Sequence, residues 1–308
     1  MLRDGQIVTI TRKDDGVHLP TFVVVSSSNQ VYFSECSHYI RKIDQNGIVS
    51  VVAGTGVDGY NGDNQLAVHA HLSEPRGLFV TDDDEVFFCD KNNHRVRKID
   101  QRNGIITTIA GNGIGGYNGD DQLATSASLN RPSSVFQYKH EIYIVDFGNN
   151  RIRKMDQNGM IKTIAGARND IYPCAIHVHN NDEVYFLDDR NLLCKIQPNG
   201  TIETIAGIEN EIGFNGDDKL ATQCKLNNPQ GIFIDDDSQI YMADTNNQCI
   251  RRIDQNGMMK RVVGTAGQEG YSGDVLFDFI KYPHVGPRKK VLIKPFPKAY
   301  QDLIVINL

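Results

Sequence analysis

Short apolar runs separated by polar turns recur along this chain in a fixed order. After Pro75 comes Gly77-Leu78-Phe79-Val80, then a polar turn, then Val86-Phe87-Phe88-Cys89 closed by Asp90. An Asn-rich turn leads into Arg95-Val96-Arg97-Lys98-Ile99-Asp100, and Asn103-Gly104 opens a last run ending Thr107-Thr108-Ile109-Ala110-Gly111. The runs are rich in Val, Ile, Tyr and Phe, as pleated half-buried surfaces require, and no helical period links them. Asn-Gly also stands at Asn46-Gly47, Asn158-Gly159, Asn199-Gly200 and Asn256-Gly257. That dipeptide between β-branched runs marks a hairpin, because both central residues need positive φ. Each unit therefore reads as four short antiparallel strands.

The unit repeats. Pro20, Pro75, Pro132, Pro173 and Pro229 head equivalent segments at steps of 55, 57, 41 and 56 residues. Second runs end in an acid each time, at Glu35, Asp90, Asp146, Asp188 and Asp244. Repeated four-stranded units predict an all-β β-propeller. The expected architecture is a single propeller over 1–308 with blades about 20–56, 75–113, 132–166, 173–207 and 229–264. A sixth blade is expected from 275–308 plus 1–11. Asp4-Gly5-Gln6-Ile7-Val8-Thr9-Ile10 matches a turn and fourth strand whose earlier strands are missing, and Val291-Leu292-Ile293 and Leu303-Ile304-Val305-Ile306 offer those strands. The expectation is thus a six-bladed propeller of four-stranded antiparallel blades, its ring closed by N- and C-terminal strands, which hides two sheet edges. Only three clear strands are found for the last blade, and five blades with an appended tail is the alternative.

Composition narrows the function classes. A net charge of -6 argues against a nucleic-acid partner held through phosphates, and Arg288-Lys289-Lys290 is too short a run to reverse that. No apolar window approaches the roughly 18 residues of a membrane span, and the first residues carry no apolar leader core. The six cysteines form no C-x-x-C pair, so reduced and mostly buried thiols are expected. A cytoplasmic chain fits these features best, with a piece of a larger secreted protein as the alternative.

The pattern P-x-G-[IL]-x-[VI]-D, then [IV]-Y-x-x-D, then N-N-x-R-[IV]-R-K-[IM]-D resembles the NHL repeat. It runs continuously over residues 20 to 264. The inserted segments at Gly59-Tyr60-Asn61-Gly62-Asp63 and their relatives are similar to those of teneurin-type NHL propellers. The resemblance implies a six-bladed propeller and a binding role toward protein or RNA, and it implies no single chemistry.

Candidate residues fall into two sets. The G-[YF]-[NS]-G-D insertion recurs at 59–63, 116–120, 213–217 and 270–274, always between the last strand of one blade and the first of the next. Asp63, Asp120, Asp217 and Asp274 could present oxygens on one rim to a partner or to a divalent cation such as calcium. The favoured reading makes each insertion a packed crossover loop with its own apolar anchors, Gly supplying positive φ and Asp capping a turn. The link from Gly166 to Pro173 lacks the insertion and leaves a notch in that rim. The second set lies on first strands, which line the central channel. His177 and His179 share a strand face, and Tyr138 and Asp235 stand at the His179 position in other blades. A zinc site needs three or four convergent ligands, and this set supplies too few. No G-x-S-x-G elbow, P-loop or H-E-x-x-H occurs. The acids ending the second strands are expected to pair with Arg97, Arg153 or Arg251 and so to be structural.

The sequence thus favours a non-catalytic scaffold that presents a rim to a protein partner, acts as a monomer and carries no resident cofactor. A metal-assisted hydrolase or lyase with a channel site, and a sensor or ectodomain module of a larger receptor, are the alternatives.

Overall fold

The computed structural model describes residues 7–11, 17–168, 170–179, 182–267, 291–292 and 303–307. Its architecture is an all-β propeller with five blades of four or five strands. The first blade holds Pro20–Val25, Val31–Glu35, Tyr39–Ile43 and Val49–Ala53, and the second holds Pro75–Val80, Val86–Asp90, Arg95–Asp100 and Ile105–Ala110. The third runs Ser134–Tyr138, Glu141–Asp146, Arg151–Met155 and Met160–Ala165. The fourth runs Pro173–His179, Glu183–Asp188, Leu192–Ile196 and Ile202–Ala206. Pro229–Ile234, Ile240–Asp244, Cys249–Ile253 and Met258–Val263 make the fifth. Strands pair antiparallel in chain order within every blade.

Three blades gain a two-residue outer strand from the insertion that precedes them. Gln65–Leu66 pairs with Ile105–Ala110, Gln122–Leu123 with Met160–Ala165, and Lys219–Leu220 with Met258–Val263. Among the described residues, the first and fourth blades have no such strand.

Second strands are the centre of each sheet, and both their faces are covered by neighbouring blades; Val31–Glu35, Val86–Asp90 and Ile240–Asp244 are buried throughout. Blades adhere through side chains and not through ladders. Tyr32, Ile40 and Val52 of the first blade pack with Leu78, Val86, Phe88 and Ile106 of the second. Burial of side chains this large contributes roughly 1.5–3 kcal/mol each. The glycine that follows each fourth strand has a steric cause. Gly111 sits at φ 90° with the His94 carbonyl oxygen 2.2 Å from where a Cβ would stand, and Gly166 meets Asn150 in the same way at 2.1 Å.

The expected count of six four-stranded blades is not met. Beside the five blades lies a three-stranded sheet in which Ile7–Thr11 pairs antiparallel with Leu303–Asn307, which in turn pairs with Val291–Leu292. No hydrogen-bonded ladder joins one blade to the next among the described residues, so the ring is not closed by hydrogen bonds. The reason is visible in the chain: beyond Asp274 the repeat pattern lapses, and fewer strand-forming runs are available than a full blade needs.

Candidate functional site

In a blade whose strands alternate in direction, the connection from second to third strand and the crossover from fourth to next first strand lie at one end. The Asn-rich turns and the insertions therefore share a rim, and they are knitted together. Arg97, fully buried, donates from Nη1 to Asp90 Oδ2 at 3.3 Å and from Nη2 to Asp63 Oδ1 at 2.8 Å and to the Gly62 carbonyl at 2.7 Å. Arg153 repeats this with Asp146 at 3.3 Å, Asp120 at 2.9 Å and Gly119 at 2.9 Å. Arg251 repeats it again with Asp244 at 3.4 Å, Asp217 at 3.3 Å and Gly216 at 2.8 Å. Each guanidinium bridges the acid of its own blade and the acid of the insertion before it.

The rest of the insertion serves the same clamp. The rings of Tyr60, Tyr117 and Phe214 lie 5.0, 5.0 and 5.1 Å from the buried guanidinium carbons. Asn61 pins its loop by accepting from His71 N and donating to the His69 carbonyl, and Asn118 and Asn215 do likewise. One Asn of each turn, two residues before the strand-opening Arg or Cys, holds the opening glycine: Asn93 donates to Gly59 O at 2.6 Å, Asn149 to Gly116 O at 2.7 Å and Asn247 to Gly213 O at 2.8 Å. Every conserved-looking letter of G-[YF]-N-G-D thus has an internal partner. Asp63, Asp120 and Asp217 face inward, and Asp274 lies outside the described residues.

Burial sets the protonation of the clamp. It pushes Asp90 up to about 6 against the pull of Asn93, the Ser73 N–H and Arg97, and it raises Asp146 and Asp244 for the same reason. Burial acts on Asp63 too, but hydrogen bonds and the Arg97 charge outweigh it and hold that carboxyl below its usual range.

The channel residues stand at the opposite end. His177 is buried in a file of rings, 4.6 Å from Phe136 and 5.5 Å from Phe233, with Phe136 4.7 Å from Phe79. These are the positions aligned across blades in the sequence. His179 Nε2 is 3.1 Å from Ser238 Oγ, on the next blade's turn. Asp235 accepts from Gln239 N at 2.8 Å, and Tyr138 carries the Lys139 ammonium 4.9 Å from its ring centre. Neither the inward acids nor these four residues gather into a site, and no group of three or more His, Cys, Asp or Glu is placed to hold a metal among the described residues.

Sequence reasoning missed a cavity of about 430 Å³ at the insertion end of the channel. The residue following each blade-heading proline lines it: Thr21, Arg76, Ser133, Cys174 and Gln230. That signal was present, since all five are polar or thiol-bearing side chains at the mouth of an apolar strand. Asp189 and Lys91 are among the residues that the second-to-third turns add to the wall. Lys91 and Arg76 each pair with Glu74 at 2.9 Å. Burial pushes the Cys174 thiol well up and raises Asp189 as well. A thiol so held is a poor nucleophile; the wall offers hydrogen bonds of both senses to a small polar group.

The notch keeps its own arrangement. The fourth blade has Cys194 where its neighbours have the buried arginine, and Asp188 is instead gripped by Arg190 through Nε and Nη2, both at 2.9 Å. Loop, asparagine and arginine are lost together.

Comparison with known proteins agrees with this geometry. The family model described as the Teneurin NHL domain matches residues 211–273. Human teneurin-4 is 27% identical over 260 residues, which cover 77% of this chain and 8% of teneurin-4. The chain therefore spans less than a tenth of that curated relative's length. Among solved structures, a protein of unknown function from Bacteroides thetaiotaomicron VPI-5482 superposes with a TM-score of 0.67 at 16% identity, covering 97% of this chain and 75% of that one. Virginiamycin B lyase from Staphylococcus aureus gives 0.51 at 18% identity, over 83% and 72%. At such identities the structural likenesses speak for the fold alone: an all-β propeller built from sequence repeats. Within that class, the repeat pattern is similar to that of the NHL-repeat β-propellers, with the teneurin likeness strongest over residues 211–273.

Proposed function

We propose that this chain is a non-catalytic binding module that presents its insertion rim to a protein partner. One observation carries the reading: successive insertions hold up exposed apolar side chains, Val57 at 50%, Ile114 at 67% and Ile212 at 63%, on loops whose backbones are pinned by buried arginine clamps. Apolar groups on a rigid polar-rimmed surface suit protein recognition, because little ordering entropy is lost on contact. Quantitative capture of partners from lysate by the wild type and by a Val57→Asp, Ile114→Asp, Ile212→Asp variant tests it. The substitutions face solvent, so the melting curve stays put while capture falls at least tenfold. Undiminished capture by the folded variant contradicts the reading. A His177→Ala, His179→Ala variant retains capture.

We also propose that the terminal sheet serves as the sixth blade of a single propeller spanning 1–308. Val291–Leu292 runs beside the first strand of the first blade and the first two strands of the fifth, which supports that placement. A latch supports it too. At the end of the second-to-third turn, His38 Nδ1 accepts from Glu74 N, His94 Nδ1 from Arg131 N and Asn191 Oδ1 from Asn228 N, each on the following blade. Gln248 occupies the same place in the fifth blade, and its buried Oε1 has no partner among the described residues. A following sixth blade accounts for that acceptor.

A further inference from the structure

The first blade carries the receiving half of a clamp without an insertion to fill it. Arg41 stands where Arg97, Arg153 and Arg251 stand in their blades, and its Nε bonds Glu35 Oε2 at 3.1 Å as those arginines bond their own acids. The Tyr39 ring lies 4.8 Å from its guanidinium carbon, doing what Tyr60 and Tyr117 do from insertions. The resemblance stops at the second carboxylate. Among the described residues no acid besides Glu35 pairs with Arg41, whose side chain is 17% exposed where the other three are at 0%.

The sheet edge beside it is open in the same sense. In the capped blades the insertion donates Ala67 N to Gly104 O and Asn64 N to Ile106 O, Ala124 N to Gly159 O and Asp121 N to Ile161 O, and so again in the fifth. Their counterparts on the first blade are the Gly47 and Val49 carbonyls, and no backbone donor reaches them among the described residues. Ile48 is 60% exposed there, whereas Ile105 and Met258, each opposite an insertion leucine, are half-buried. Val51, exposed, replaces the threonine that in the third blade donates to the insertion acid at 3.0 Å. The edge is uncharged from Ile48 to Ala53 and, Ser50 apart, apolar, the composition that invites strand addition. The fourth blade gives the contrast: it too lacks an insertion, but there the arginine is absent, so an unfilled blade need not keep one.

We propose that the edge Val49–Ala53 with Arg41 is a docking site for an extended segment of a protein partner that carries an acidic residue a few positions before a leucine. The segment adds as a fifth strand, its leucine covering Ile48 as Leu66 covers Ile105, and its carboxylate takes the open side of Arg41. This rests on the reading of the chain as a protein-binding module but uses none of the rim side chains Val57, Ile114 and Ile212, so either can fail alone.

The probe is a labelled peptide with the sequence of residues 59–70, titrated by fluorescence anisotropy against the whole protein. Binding to the wild type, weakened at least tenfold by Arg41→Gln, is the expected result. The same loss is expected, with no demand on protein folding, when the peptide's aspartate is replaced by asparagine. No binding to the wild type, or binding indifferent to both changes, overturns the proposal. Binding that emerges only in an Asp14→Ala, Asp15→Ala variant overturns it by assigning the site to the chain's own preceding segment. Concentration-dependent dimerisation abolished by Arg41→Gln overturns it in favour of a second copy.

Discussion

A buried arginine between two carboxylates is costly to form and more costly to break. Removing the guanidinium of Arg97 takes the paired cation from the fully buried Asp90 and from the partly exposed Asp63, and breaking a buried pair in this way runs at about 3–5 kcal/mol. Arg97→Met is therefore expected to lower the urea midpoint far more than Arg190→Met, whose guanidinium is part-exposed where that of Arg97 is fully buried. Equal effects contradict the clamp. The same residue scale fixes a pH response. Asp90 is raised in the folded chain, to about 6 from an ordinary 3.8, so its protonation favours folding. Its contribution is complete below about pH 4 and is lost as pH rises through 6. Asp90→Asn removes that slope; a stability profile between pH 4 and 6 that keeps the wild-type slope in the variant sinks the assignment.

At the scale of the element, loop and arginine behave as one unit. Replacing residues 57–72 by a link like 167–171 exposes Arg97, and Arg97→Cys alone strands the loop acid. Made together they leave, as in the fourth blade, neither loop nor buried arginine, so the double change should cost less than the sum of the singles by more than about 1 kcal/mol in a double-mutant cycle. Strict additivity contradicts a coupled module. Here the sequence was readable in part. Strands were legible because apolar runs, Asn-Gly turns and terminal acids repeat at fixed offsets. The pairing of second-strand acids with Arg97, Arg153 and Arg251 was legible for the same reason. The inward turn of Asp63, Asp120 and Asp217 was not, since their partner lies some 34 residues on, in the third strand of the next blade. The signal existed in the coincidence of insertions with that arginine, and in Cys194 standing where both are missing. For the channel set, equivalent strand positions put His177 in file with Phe79, Phe136 and Phe233, but sharing a channel does not by itself bring side chains to a common point.

At the scale of the molecule, the propeller divides its chemistry between two ends. The end with His179 and Asp235 is made of short turns that bond within themselves and to the next blade's turn. The other end collects the insertions, the turns that clamp them and the cavity that the blade-heading residues surround. Both chain ends meet in the sheet built on Ile7–Thr11 and Leu303–Asn307. Removing residues 1–11 takes a strand from it, and the melting temperature is expected to fall by about 5–10 °C, as a loss of a few kcal/mol does in a chain of this size. An unchanged melting curve rules out a structural role for that pairing. The five-blade count, against six expected, arises where the repeat fades after Asp274, which is also where sequence periodicity ceased to guide the reading.

The insertion rim is the proposed contact surface. The most direct test is hydrogen–deuterium exchange of the protein with and without its captured partner. Protection concentrated at residues 57–72, 112–129 and 209–226 is the predicted result. Protection confined to the His177 and His179 end, with the insertions unchanged, would contradict it.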